Sequence, residues 1–225
     1  MKNDIFHILN RGVEKRKIFS NHEDYIRFIY NLYDFNNANI VFESYSRRKQ
    51  KHLSRLSGVA LPTNRNKLVD ILCWCLMPNH IHILALEKIN KGTSEFSRKI
   101  IVGYTNYFNK INNRSGVLFQ GRTKIIPVKR NKHFLCLPFY IMANPLALLE
   151  PTWKEKGLKN CQAAFKFLKK YQYSSLSDIL DDDNLISVIN KKLFFELFET
   201  NPKQFQKDFI EWLNMVGSRT PDTSK

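Results

Sequence analysis

The sequence predicts an α+β fold: a ferredoxin-like split βαβ sheet with an added helix carrying a tyrosine, plus a small helical C-terminal extension. Three observations predict it. Segments of strand character and segments of helical spacing follow one another as strand, helix, strand, strand, helix, strand, helix. Two apolar runs, 69–77 and 80–86, meet at Pro78-Asn79, a turn signal that makes them a hairpin. Beyond Pro151 the strand pattern stops, and short helices rich in Phe and Lys follow.

Residues 5–11, IFHILNR, read as a strand ending at Gly12. Ser20 and Glu23 make a capping box ahead of Tyr25, Ile26, Phe28, Ile29, Leu32 and Tyr33, which recur at helical spacing. Residues 44–68 are basic, lack periodicity and are broken by Gly58 and Pro62, which reads as a long surface connection. After the hairpin, Thr93 or Ser94 caps a helix through Phe96, Ile100, Ile101, Tyr104, Tyr107 and Phe108, stopped by NNRSG at 112–116. Leu118 to Val128 reads as a strand. Lys132 to Leu149 reads as a helix packed on nearly every side and interrupted at Pro145. The expected division is a domain at 1–150, a helical extension at 151–216 and a frayed tail at 217–225.

The net charge of +16 is uneven: residues 1–150 hold 24 Lys and Arg against 10 Asp and Glu, and residues 151–225 hold 12 against 10. Such an excess points to a polyanionic partner, nucleic acid first, because Lys and Arg neutralise phosphates whatever the sequence of bases. No run is long and apolar enough to span a bilayer, and Asp4 interrupts any secretory signal, so a cytoplasmic protein without a membrane partner is expected. Cys73, Cys75, Cys136 and Cys161 form neither a CxxC pair nor a secreted disulfide framework; C-W-C alternation reads as one face of a strand, so reduced thiols are preferred to zinc ligands.

On a strand, His80 and His82 project from one side and can present two imidazoles to one metal ion; the same spacing also suits a structural pair. Tyr140 and Asn144, four apart on a helix, lie one turn from each other, so an amide oxygen can complete a metal site beside a phenol. Taken alone, Tyr140 in FLCLPFYI reads as a buried aromatic.

In combination these segments resemble a known family. Met77-Pro78-Asn79-His80-Ile81-His82-Ile83-Leu84 resembles the HUH segment of single-tyrosine transposases, and Tyr140-Ile141-Met142-Ala143-Asn144-Pro145 resembles the helix bearing their nucleophile. Phe6-His7-Ile8-Leu9-Asn10-Arg11-Gly12, Tyr107-Phe108-Asn109 and Leu118-Phe119-Gln120-Gly121-Arg122 resemble the branch of REP-associated tyrosine transposases, in the same order. The chain departs from that pattern where the family carries Arg or Lys soon after Asn-Pro, having Leu146-Ala147-Leu148, and where Thr123-Lys124 follows Gly-Arg.

The resemblance implies a transposase that cleaves and rejoins single-stranded DNA through a covalent 5′-phosphotyrosine link on Tyr140. It implies a divalent metal, magnesium or manganese, held by His80, His82 and Asn144. It further implies a hairpin or palindromic repeat as partner, on nucleoid DNA, its phosphates met by Arg11, Arg47, Arg48, Lys49, Arg122 and Lys124; Phe119 reads either as a ring that stacks on an unpaired base or, as strand aromatics more often do, as a core residue. A free phenol ionises near pH 10, so the nucleophile needs help, from the metal, from Lys124 or from the phosphate's own geometry. Monomer and homodimer are both open. The competing readings are a non-catalytic ferredoxin-like module that binds single strands, and another HUH endonuclease such as a replication initiator or relaxase.

Overall fold

A computed structural model of the chain describes residues 4–39, 65–129, 132–180 and 188–217. Strands β1 (Ile5–Arg11), β2 (Val69–Met77), β3 (His80–Glu87) and β4 (Lys124–Val128) form one sheet in the order β2-β3-β1-β4, with every neighbouring pair antiparallel. Helix α1 (His22–Asp34) lies in the chain between β1 and β2, and α2 (Gly92–Ile111) between β3 and β4. Each helix therefore links two strands of like direction that have a third between them, which is the split βαβ plan.

The sheet is apolar on both faces. On one, Ile8, Ile71, Trp74, Ile81 and Ile83 pack with Phe28 and Leu32 of α1 and with Phe96, Ile100 and Tyr104 of α2. The other face takes Ile5, Cys73, Cys75, Leu84 and Leu86 into a second core, closed by helices from the C-terminal third of the chain. These are α3 (Lys132–Met142), α4 (Leu146–Leu149), α5 (Trp153–Lys156), α6 (Cys161–Lys170), α7 (Leu176–Leu180), α8 (Lys191–Leu197) and α9 (Pro202–Gly217). Every residue of β2 is buried. Its register against β3 slips between Ile71 and Cys73, so Ile71 and Trp74 face one core while Leu72 and Cys73 face the other. The four cysteines are free thiols, and burial pushes Cys73 and Cys75 upward, as suits core residues.

Several boundaries differ from those read in the sequence, each for a local reason. The cap of α1 falls one residue late, because Asn21 accepts from the Asp24 N–H while the Asp24 carboxylate accepts from Ser20 N–H. Helix α2 begins at Gly92, and the Glu87 carboxylate at the end of β3 accepts from Thr93 N–H instead of a capping hydroxyl. A Cβ on Gly92 would fall 2.4 Å from the Leu68 carbonyl oxygen, so the strand end and the helix start meet only through glycine. Strand β4 is confined to Lys124–Val128, since Phe119 makes only an isolated antiparallel bridge to Gly12 and the side chains of Leu118 and Phe119 enter the first core. The helix expected to run to Pro145 ends at Met142, Pro145 instead opens α4, and exposed Leu135, Tyr140, Leu148 and Leu149 show that this stretch is not packed all round. The last helix, with 16 residues, is longer than the short helices expected. Most of the basic connection, 44–64, and the tail from 218 lie outside the described residues.

Buried Asn36 fastens the end of α1 to the start of β2: its Oδ1 accepts from Leu68 N–H and Val69 N–H at 3.0 Å each, and its Nδ2 donates to the Val69 carbonyl at 2.8 Å. Asn36→Leu strands three buried backbone groups, each costing about 1–3 kcal/mol when left unpaired. The variant is expected to lose at least about 2 kcal/mol of stability in urea unfolding at an unchanged slope. A loss below about 0.5 kcal/mol would show the clamp to be idle.

Candidate active site

Register decides which side chains share a face, since directly opposed residues of paired strands project to the same side. His80 opposes Arg11 and Met77, His82 opposes Leu9 and Cys75, and His7 opposes Leu84. Lys124 on β4 opposes Leu9. Arg11, Leu9, His7, His80, His82 and Lys124 therefore lie on the face that carries Ile5, Leu84 and Leu86. The apolar end of that face is covered by the C-terminal helices. Its polar end forms a cavity of about 370 Å³ whose walls include Arg11, His80, His82, Gln120, Arg122 and Lys124.

Hydrogen bonds orient the imidazoles. Asn79 Nδ2 donates to the Lys15 carbonyl, so its Oδ1 is the acceptor facing His80 Nδ1 at 2.7 Å. His80 then carries its hydrogen on Nδ1 and keeps the lone pair of Nε2. His82 Nδ1 is bonded to His7 Nε2 at 3.0 Å, which likewise leaves His82 Nε2 as the nitrogen outside the pair. All three rings are held neutral. Burial lowers His7 to about 4. His80 is also lowered to about 4, by burial and then by the charges of Arg11 and Lys154. His82 is pushed well below the ordinary histidine value, chiefly by burial and further by its neighbours His80, His7, Lys154 and Arg11.

Tyr140 stands at the edge of the C-terminal layer. Its neighbours Phe139, Ile141 and Met142 are buried on α3, while Tyr140 is 38% exposed. Asn144 lies in the turn just past the helix rather than on it, one turn from Tyr140 as its spacing requires. Its Nδ2 donates to the Tyr140 and Ile141 carbonyls at 3.0 Å each, closing the end of α3 and keeping the buried amide's Oδ1 as an acceptor. Lys154 of α5 reaches both residues: its Nζ donates to the Tyr140 hydroxyl at 2.7 Å and to Asn144 Oδ1 at 3.4 Å, and it lies 4.4 Å from the centre of the Tyr140 ring. No basic residue follows the helix break directly; the ammonium beside Tyr140 comes from Lys154. The same charge acts on His80 and His82, which ties the phenol and amide to the imidazoles electrostatically.

The structure thus brings His80, His82, Arg11, Arg122 and Lys124 to one cavity, and Tyr140 and Asn144 to a second cluster that shares the Lys154 charge with it. Arg47, Arg48 and Lys49 lie outside the described residues. Phe119 offers no ring to a base: it is 5% exposed, packed in the first core with its ring 6.3 Å from that of Tyr104. Tyr104 is fully buried, donates to the Ile18 carbonyl and is raised by desolvation, while Tyr107 donates to the Asp24 carboxylate. Among the described residues no three His, Cys, Asp or Glu side chains converge as a metal-ligand set, so the donors at hand are two imidazoles and an amide. His7 and Lys154 were missed in the sequence. Alternation with Leu9 and Arg11 was the available signal for His7; Lys154 had none.

The neutral imidazoles set a pH dependence. An unfolded histidine takes its proton near pH 6.5, whereas His7 and His80 resist until about pH 4, so between those values the unfolded chain binds more protons and stability falls as pH drops. The stabilisation is fully present above pH 6.5 and is lost towards pH 4. Thermal unfolding of the metal-free protein is expected to shift to lower temperature between pH 7 and pH 5, above the usual carboxylate range. A His7→Gln variant should show a shallower fall, and identical slopes in the two proteins would contradict the assignment.

No family model and no curated protein matches the chain. Among solved structures it is similar to that of a REP-associated tyrosine transposase bound to a REP hairpin, with a TM-score of 0.44 and 11% identity over 84% of this chain and 85% of that one. So distant a likeness says nothing of chemistry, which rests on the residues themselves.

Proposed function

We propose that the protein cleaves and rejoins single-stranded DNA through a covalent phosphotyrosine link, as a single-tyrosine HUH transposase, with Tyr140 as nucleophile. The observation that carries this reading is an exposed phenol, its oxygen on an ammonium, at the edge of a face where two strand-borne imidazoles keep Nε2 free. His80, His82 and Asn144 are the residues that would hold a divalent metal, magnesium or manganese. Their donor atoms are two neutral nitrogens and an amide oxygen that lies 3.4 Å from the Lys154 ammonium, and the partners that orient the imidazoles engage the other ring nitrogen of each. When bound, such an ion supplies Lewis-acid stabilisation of charge on the scissile phosphate.

The chain's own residues do the rest. Arg11, Arg122 and Lys124 line the cavity beside the histidines and neutralise phosphates on either side of the cut, holding the backbone without reading bases. The Tyr140 oxygen forms a bond to phosphorus as the bond to the 3′ oxygen breaks, leaving a 5′-phosphotyrosine and a 3′ hydroxyl. The phosphodiester's energy stays in that link, so a second 3′ hydroxyl reverses the step without a nucleotide cofactor. The substrate proposed is a folded strand, a hairpin or palindromic repeat.

The test is to incubate the protein with labelled hairpin DNA and manganese, denature it and map any DNA-linked peptide by mass spectrometry. Wild type is expected to carry the adduct on Tyr140, and Tyr140→Phe, which keeps the ring and removes the hydroxyl, to carry none while still binding DNA. An adduct elsewhere, or none with any strand offered, defeats the proposal in favour of a binding module.

A paired His80→Ala, His82→Ala variant is expected to remain folded, since alanine keeps the backbone pairing of β3 with both its neighbours. It should lose manganese binding by calorimetry together with strand cleavage. Cleavage at wild-type manganese dependence would remove both histidines from the site.

A further inference from the structure

We propose that Lys154 is a catalytic residue of this site, its ammonium holding the Tyr140 oxygen and carrying the negative charge that this oxygen bears whenever the phosphotyrosine bond is made or broken. The inference rests on the reading of Tyr140 as nucleophile and adds the group that serves it. Among the described residues the polar partners of Lys154 are the Tyr140 hydroxyl, at 2.7 Å, and Asn144 Oδ1, at 3.4 Å; no carboxylate neutralises it. Lys88 beside Asp70 and Lys99 beside Glu95 show the other arrangement, an ammonium held by a carboxylate. Here the cation is spent on a phenol and an amide.

Its placement is built in. Trp153, the preceding residue, is 2% exposed and packs against Trp212, which anchors the short helix α5 in the second core. Carbonyls of Glu150 and Thr152 and the N–H of Gly157 tie the same turn. Lys154 is therefore presented, exposed, from a fixed backbone. Lys124, the other lysine considered for this task, belongs to the cavity wall with Arg11 and Arg122, which suits it to a phosphate rather than to the phenol.

The chemistry balances as follows. In cleavage the Tyr140 oxygen bonds to phosphorus, the bond from phosphorus to the 3′ oxygen breaks, the phenol's proton passes to water and the departing oxygen takes one to become a hydroxyl. In rejoining, an incoming 3′ hydroxyl loses its proton to water and bonds to phosphorus, and the Tyr140 oxygen departs as an anion before it is reprotonated. Charge develops on the same oxygen in both directions, and a fixed donor at that atom stabilises it each time. Removing Lys154 must then slow both directions, unlike removal of a residue that only grips DNA.

The experiment uses the full chain with manganese and a labelled hairpin, measuring hairpin affinity, thermal stability, adduct formation and release of the isolated adduct by a strand with a free 3′ hydroxyl. Lys154→Met keeps the stem and loses the charge; it is expected to slow both steps on the order of 100-fold, with affinity and stability near wild type. Lys154→Arg, which restores a charged donor, should recover most of both rates. Wild-type rates in Lys154→Met overturn the proposal, as does a loss confined to affinity or a failure of Arg to recover more than Met. If wild type itself forms no Tyr140 adduct, the nuclease reading fails and this proposal with it; a normal adduct unaffected by Lys154→Met sinks this proposal alone.

Discussion

A sheet that is apolar on both faces must be covered on both, and the remainder of this molecule follows from that requirement. Strand β2, buried at every position, leaves no alternative, since alternate residues of one strand feed two separate cores. The crossover helices α1 and α2 serve one face. The other would stand bare without the C-terminal helices, whose phenylalanines close over Ile5, Leu84 and Leu86. Their cover stops short of the polar end of the same face, where His7, His80, His82 and Arg11 begin. The site is thus the uncovered remainder of a packing surface, bordered by the layer that carries Tyr140.

Positive charge has two effects there. Arg11 and Lys154 make the region attractive to phosphates, and the same charges lower His80 and His82. Imidazoles buried beside cations stay neutral, and a neutral imidazole retains the lone pair that a ligand role demands. Asn79 then decides which nitrogen of His80 holds it, and His7 occupies Nδ1 of His82. Phosphate attraction and imidazole basicity, which in isolation could oppose each other, are reconciled by burial of the rings and exposure of the cations.

How much of this was legible in the sequence depended on whether a residue's role was local. Strands β1 and β2 were read to their ends, because alternation and continuous apolar runs express burial within a few residues. The shared side of His80 and His82 followed from the period of a strand alone. Where a role required knowledge of a distant neighbour, the sequence was silent: His7 matters through its register with β3, and Lys154 through a fold that returns it to a tyrosine 14 residues earlier. Phe119 stayed open because an aromatic ahead of Gln-Gly-Arg looks the same whether it faces solvent or turns into a core. The caps of α1 and α2 moved because Asn21 and Asp24 perform what Ser20 and Glu23 were expected to do, and because the Glu87 carboxylate reaches across to the N–H of Thr93. Asn144 was placed at the correct distance from Tyr140 although the helix ends before it.

The two halves of the site belong to different layers. The imidazoles ride on the inner strand β3, locked by hydrogen-bonded partners on both sides, while the phenol, the amide and Lys154 travel together as one end of the helical layer. The layers are nevertheless stitched together along the edge strand β2: Leu76 N–H donates to the Tyr173 carbonyl, Ser175 N–H to the Trp74 carbonyl and the Tyr171 hydroxyl to the Leu76 carbonyl. Those bonds act as rivets between the layer that carries the phenol and the strand beside the imidazoles, so the spacing of the two halves is set by backbone that belongs to neither.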